Sequence, residues 1–180
     1  TTFIMRLPFP RWLIAVTLFL LSASLCAQDS FTPNEKPVLN VQRTSATIKV
    51  DGELDDAGWQ SAAKADNFAE NTPRDRVKPP VETEVLVTYD SDNFYLAFIC
   101  YDDPKSVRAS MRDRDEIFND DYIGILLDTY GDAAWAYEIF VNPLGLQGDL
   151  RWIPDGEEDI RFDIVFYSQG KITDKGWQVE

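Results

Sequence analysis

The 180 residues are enough for one domain with a substantial core, and an aromatic content of 13% can fill it. Seventeen Lys and Arg against 31 Asp and Glu give a formal net charge of −14. That field repels phosphate backbones and anionic lipid surfaces, so nucleic acid is not expected as a partner, while sugars and divalent cations stay open; the absence of His removes Ser-His-Asp catalysis and the commonest zinc ligand.

Arg6 and Arg11 precede a continuous apolar run, Trp12 to Leu25, that ends in Cys26, Ala27 and Gln28. The run is shorter than the ~20 residues of a comfortable membrane span, and it has the basic flank and small residue at the break that signal peptidase needs. Residues 1–27 are therefore expected to be a signal peptide cut after Ala27, with Met5 a candidate start. The mature protein would be periplasmic, outer-membrane-associated or extracellular. Cleavage removes two arginines and leaves 15 Lys and Arg against 31 Asp and Glu, a net of −16. It also removes Cys26, so Cys100 is expected as a lone buried hydrophobe, without a disulfide partner and without a His to activate it.

Residues 28–46 are polar, contain proline and show no period, which reads as a linker; the fold is expected over 47–180. Thr47–Val50 gives a short strand and Asp51-Gly52 a turn. In ELDDAGWQSAA, Asp55 or Asp56 is placed to cap a short helix near 55–63, with Trp59 as its anchor. Phe68 follows in a short extended piece, and residues 71–80, with three prolines and four charges, form an exposed loop. Val81–Tyr89 alternates, with Val81, Thr83, Val85, Val87 and Tyr89 facing in and Glu82, Glu84, Leu86 and Thr88 on a solvated face. The turn Asp90–Asn93 leads into Phe94–Tyr101, apolar on both faces, which pairs with its predecessor as a hairpin and takes a central place. Lys105–Glu116 is charge-dense: either a solvated loop with ion pairs contributing ~0–1 kcal/mol each, or a binding rim held by the scaffold.

Tyr122–Leu127 and Ala136–Val141 are successive apolar strands, the second broken only by Glu138. Two covered strands in succession imply sheet stacked on sheet. Asp128–Ala134 turns between them; Asn142, Pro143 and Gly145 end the second, and Leu146–Ile153 returns antiparallel. Pro154–Glu158 reads as an acidic turn, Phe162–Gln169 alternates again, Gly170–Gly176 turns, and Trp177–Glu180 opens a strand that nothing closes, as in a truncated domain. The expected fold class is all-β, an antiparallel β-sandwich with one short helix.

The segments IKVDGELDDAGWQSAA, TEVLVTYDSDNFYLAFICYDD, NDDYIGILLDTY, FVNPLGLQGD and GWQVE, in that order and spacing, resemble the family 9 carbohydrate-binding module and its relatives of the DOMON-like, jelly-roll-like β-sandwich superfamily. The resemblance covers roughly Thr47 to Glu180. It implies a non-catalytic module for poly- or oligosaccharide, associated with carbohydrate catabolism through glycoside-hydrolase companions. In the subgroup most similar, such a module stands before an outer-membrane β-barrel region, and GWQVE runs on into an isoleucine-proline strand. Phe118, Gly124 and Phe140 stand where sugar-binding members are expected to have tryptophan, an acidic residue and arginine. The competing expectation is a structural or gating domain that packs on the barrel and binds no glycan.

The candidate sugar platform is Phe118, Trp135, Tyr137 and Trp152, because aromatic faces stack on sugar rings. Calcium is the cation that loop oxygens suit, and Asp120 with Asp121 is the first choice for it. Asp90, Asp92 and Asn93, and Asp102 with Asp103, form similar clusters that turn chemistry also explains. Catalysis is not expected: Asp121 and Asp128 would lie about 20 Å apart along one strand, against the ~5–9.5 Å of a glycosidase pair.

Overall fold

The computed structural model describes residues 31–34, 37–154 and 157–180, and Pro33–Glu180 form a compact unit. The expected signal peptide, 1–27, lies outside the described residues. Among the described residues the strands are β1 (Ala63–Ala65), β2 (Glu82–Tyr89), β3 (Phe94–Tyr101), β4 (Ile123–Leu127), β5 (Ala136–Val141), β6 (Gln147–Ile153), β7 (Glu157–Asp159), β8 (Gly170–Thr173) and β9 (Gly176–Val179). They form two antiparallel sheets, one ordered β1-β2-β3-β9-β8 and the other β4-β5-β6-β7. The molecule is an all-β sandwich.

The sheets meet through alternate residues of their central strands. Cys100, Trp177 and Val179 cluster with Val141 across the interface, and Val85, Val87 and Phe98 receive Ile123. Burying each large apolar side chain in this way stabilises the fold by about 1.5–3 kcal/mol relative to exposure. Burial also pushes the Cys100 thiol up to about 11, so it stays protonated and inert.

The β2–β3 hairpin and the central place of β3 are as expected, and the second face of β2 is solvated at Glu82 but covered toward Leu86 and Thr88. Ile48, Trp59 and Ala97 form a cluster there that takes in Leu54, Leu86 and Tyr95. The segment that makes this cover departs from expectation in two ways. Thr47–Val50 forms no ladder, and the short helix expected near 55–63, present as the 3-10 stretch Ala57–Ser61 before Ala63 starts β1, lacks its expected cap. Asp56 does not cap that turn, because its carboxylate accepts the backbone N–H of Lys49 at 2.7 Å instead. Gly58 explains the tight approach: a Cβ there would lie 2.4 Å from Cγ1 of Ile48.

Glu180 fastens this cover to the end of β9. Its Oε2 accepts the N–H groups of Asp51 and Gly52 at 2.9 and 2.8 Å, and its Oε1 accepts Trp59 Nε1–H at 3.0 Å. Burial pushes the Glu180 carboxyl above its ordinary value, and these three donors oppose the rise. Part of the expected linker is docked as well. Leu39 and Val41 pack on the Val85, Val87 and Phe98 cluster, Arg43 bridges Tyr89, and Thr88 Oγ1 donates to Gln42 O at 2.9 Å.

Three further elements differ. Gly170–Gly176, expected as one turn, contains β8, and the acidic turn after Pro154 yields β7. Phe162–Gln169 keeps its alternation, with Phe162, Ile164 and Phe166 inward and Val165 and Tyr167 outward, yet has no ladder partner. Its backbone is bonded to side chains instead: Ile164 N–H donates to Asp149 Oδ2 at 2.7 Å and Gln147 Nε2 donates to Phe166 O at 3.0 Å. β4, expected to be covered on both faces, lies at a sheet edge with Leu126 59% exposed.

Trp59→Ala removes both the anchor of the outer cover and a hydrogen bond to Glu180. It is expected to cost about 3–5 kcal/mol, read as a drop in urea-unfolding free energy. A change within error would show that the cover contributes nothing.

Candidate functional site

The four candidate aromatics fall into two places. Trp135, just before β5, and Tyr137, within it, lie two residues apart and meet edge to face at 4.7 Å and 88°. Tyr130, from the turn before β5, leans on Trp135 at 5.7 Å, and Tyr137 is tilted by 33° over Phe162 at 5.4 Å. The result is a row of four rings at one end of the four-stranded sheet. Arg151 is the cross-strand partner of Tyr137; its guanidinium lies 5.7 Å from the Phe162 centroid and donates to Asp159 Oδ2 at 3.1 Å. Tyr130 is largely exposed and Trp135 half-buried. Trp135 therefore combines an accessible ring with a fixed orientation.

Phe118 belongs to the other face of that sheet. It sits in the 3-10 turn Ile117–Asn119, anchored by the fully buried Ile117, and meets Tyr122 at 5.6 Å and Phe140 at 5.3 Å, both edge to face. Tyr122 and Phe140 complete the triangle at 5.7 Å. Gly124 makes it fit: a Cβ there would lie 2.5 Å from Cδ1 of Phe140, its cross-strand partner. Trp152 is half-buried on the same face, opposite Ala136, but Phe118 packs over Gly148, and Gly148 to Trp152 is about 13 Å of strand. The structure thus brings Trp135 and Tyr137 together and keeps Phe118 and Trp152 apart from them and from each other. Tyr130 and Phe162 extend the first group and were not named from sequence. The i, i+2 spacing of Trp135 and Tyr137 marked the row, whereas Phe162 reaches it from a distant segment.

Asp120 and Asp121, the candidate calcium ligands, hold the charge-dense loop to the sheet. Asp121 Oδ2 accepts Arg108 N–H at 2.8 Å, and its Oδ1 accepts Arg108 Nε and Nη2 at 3.1 and 2.8 Å. Asp120 Oδ2 accepts Ser110 N–H at 2.9 Å and Asn142 Nδ2 at 3.1 Å. Both Asp121 oxygens and Asp120 Oδ2 thus accept donors, while Asp120 Oδ1 lies 3.9 Å from Arg112 Nε. Burial pushes the Asp120 carboxyl up, but the bonds from Ser110 and Asn142, with Arg112 beside it, outweigh burial and hold it below its ordinary value. Asn142, fully buried, also closes the turn into β6 by accepting Leu144 and Leu146 N–H at 3.0 and 2.9 Å.

A second carboxylate group was not visible in the sequence. Asp115, Asp149 and Asp163 each bring one oxygen within 4.8 Å of the others. Their oxygens suit a hard cation by type. A guanidinium already stands among them, however: Arg114 donates to Asp149 Oδ1, to Gln147 Oε1 at 2.6 Å and to Ile164 O at 2.8 Å, lies 3.4 Å from Asp163, and faces the Phe166 ring at 5.5 Å. Asp149 is 0% exposed, and its N–H donates to Asp115 Oδ1 at 2.9 Å. The charge-dense loop, expected as a solvated loop with surface ion pairs or as a binding rim, is thus tied down by an ion pair whose carboxylate is buried and whose guanidinium is 36% exposed.

No protein-family model matches the chain, and neither does any curated protein or solved structure.

Arg114→Met leaves the Asp149 carboxylate buried without a counter-charge, and the expected loss is about 3–5 kcal/mol in urea unfolding. Asp120 gives a pH signature. Its folded-state carboxyl is depressed, so its stabilisation is present above the unfolded value of about 3.9 and is lost as pH falls through the lower folded value. The gap in melting temperature between the unsubstituted chain and Asp120→Asn should be full at pH 7 and close as pH falls below about 3.9. A gap independent of pH would remove the ionised form of Asp120 from the account.

Proposed function

We propose that this chain is a non-catalytic, carbohydrate-binding-like module of an exported cell-envelope protein associated with carbohydrate catabolism, and that oligosaccharide lies along Tyr130, Trp135 and Tyr137. The observation that supports this reading is the ring row itself. Trp135 is braced at right angles by Tyr137 of β5 and flanked by the exposed Tyr130, with Arg151 and Asp159 at the Tyr137 and Phe162 end of the row to orient hydroxyls. Orientation matters as much as stacking, because a ring face alone holds a sugar weakly.

The side-chain inventory supports a binding role over a catalytic one. Asp128, at one end of the would-be glycosidase pair, accepts Gly131 and Ala133 N–H at 2.6 and 2.9 Å and serves its turn. Asp121, at the other, is occupied by Arg108. Cys100 is buried and protonated.

A second reading, a structural or gating domain packed on a downstream outer-membrane β-barrel, draws on the opposite face. There Phe118, Tyr122 and Leu126 expose apolar surface together beside Gly124. Sugar binding and protein packing thus use different faces of one sheet.

Titration with xylo- and cello-oligosaccharides while following tryptophan fluorescence and heat separates the two readings. A saturable change with the unsubstituted chain, weakened at least about tenfold in Trp135→Ala and Tyr137→Ala and unchanged in Tyr122→Ala, is expected; tenfold corresponds to about 1.4 kcal/mol. Silence across the panel removes the sugar reading and leaves the packing face.

A further inference from the structure

Glu138, in the middle of β5, is a charge in an apolar setting. Val141 of the same strand joins Cys100, Trp177 and Val179 between the sheets, so by alternation Ala136, Glu138 and Phe140 point to the outer face. The cross-strand partners of Glu138 there are Leu126 on β4 and Leu150 on β6. Trp152 stands on the same face opposite Ala136, with Glu158 as its own partner on β7.

Glu138 is only 5% exposed, and its Oε2 is shut away from solvent without a hydrogen-bond partner. Arg151, between Leu150 and Trp152 on β6, points to the other face and is bonded to Asp159. Among the described residues no Lys or Arg forms an ion pair with Glu138. Burial, and after it the charge of Glu158, pushes the Glu138 carboxyl above its ordinary value. A well-packed apolar residue would avoid the desolvation that this carboxylate suffers, so the sheet holds here a group that its own stability does not need. A side chain that costs stability is what a binding site retains.

What Glu138 lacks defines what the ligand must bring. Two carboxylates without a described counter-charge call for a cation, and the empty acceptor at Oε2 calls for N–H. The walls call for an apolar body: Leu126 is 59% exposed and Trp152 half-buried, while Ala136 and Leu150 form a buried floor between them. Trp152 also offers a ring face to a positive charge. A hydroxyl-rich ligand would find few polar partners on these rows, which separates this place from the ring row assigned to sugar. Size decides between a small molecule and a protein. The rows Leu126–Glu138–Leu150 and Ala136–Trp152–Glu158 span about 7 Å along the strands and about 14 Å across them. That is roughly 100 Å², against the ~800 Å² per partner of a stable protein interface.

We propose that Glu138 anchors a binding site for a small organic ammonium, with the N–H⁺ group on the Glu138 carboxylate and the apolar body between Leu126 and Trp152. Entry is past Leu126, the exposed neighbour of Glu138 on β4. Glu158, exposed beside Trp152, adds negative charge at the margin.

Calorimetric titration of the full chain with 2-phenylethylammonium and with its neutral analogue 2-phenylethanol tests the assignment, in about 0.15 M salt to screen the general acidity of the surface. The ammonium should bind at least about tenfold more tightly than the alcohol. Glu138→Gln should abolish that preference, whereas Asp55→Asn, which removes an exposed carboxylate elsewhere, should keep it. Because glutamine removes a desolvated charge, the melting temperature of Glu138→Gln should equal or exceed that of the unsubstituted chain. Equal binding of ammonium and alcohol, no binding of either, or a preference that survives Glu138→Gln overturns the site. A lower melting temperature in Glu138→Gln overturns its premise, because the carboxylate would then serve the fold.

Discussion

The ion pair between Arg114 and Asp149 is the constraint on which the rest of the sandwich turns. A carboxylate withdrawn from water on β6 needs a counter-charge and hydrogen bonds on both oxygens, and the Arg114 guanidinium and Ile164 N–H supply them. Meeting that need fixes three pieces of chain at once: the loop carrying Arg114, the strand carrying Asp149 and the extended run that ends in β8. Asp120, Asp121 and Asn142 repeat the device at the other end of the loop.

Where hydrophobic periodicity decides structure, the sequence was informative. Val85 and Val87 lie inward as the alternation of β2 requires, and the period-two pattern of Phe162, Ile164 and Phe166 gives the right face for each residue. Periodicity reports which side a residue faces and is silent on what its backbone bonds to. The same pattern therefore stood for a ladder in β2 and for side-chain bonding in 162–169. The cap of the short helix failed for a related reason: Asp56 is a good cap by residue type, but Lys49 N–H, reached across the Asp51-Gly52 turn, takes its carboxylate.

The site was legible in part. Trp135 and Tyr137 are neighbours on one strand face, so their meeting is local and visible in the spacing. The triangle of Phe118, Tyr122 and Phe140 needs register between β4 and β5, and its enabling residue is a glycine whose absent side chain no composition count would flag. Gly124 and Phe140, read along the chain as losses of polar groups, are coupled in space: the ring occupies the room that the missing Cβ leaves. Asp115, Asp149 and Asp163 were invisible for the complementary reason, since their meeting depends on three separate segments.

The free margin of β4 has a consequence for how copies of this protein meet. Among the described residues Ile123–Leu127 is an apolar edge strand with Leu126 turned to solvent, the usual template for edge-to-edge aggregation. Asp120 and Asp121 stand immediately before it and Asp128 immediately after. N–H bonds from Ala133, Gly131 and Tyr130 hold the Asp128 carboxyl below its ordinary value, as those from Ser110 and Asn142 do for Asp120. Two copies laid margin to margin in antiparallel fashion would set Asp120 of one toward Asp128 of the other, so these lowered carboxyls act as gatekeepers. Part of the chain's acidity thereby has a task that involves no ligand: keeping the greasiest ribbon of one molecule from annealing to its twin.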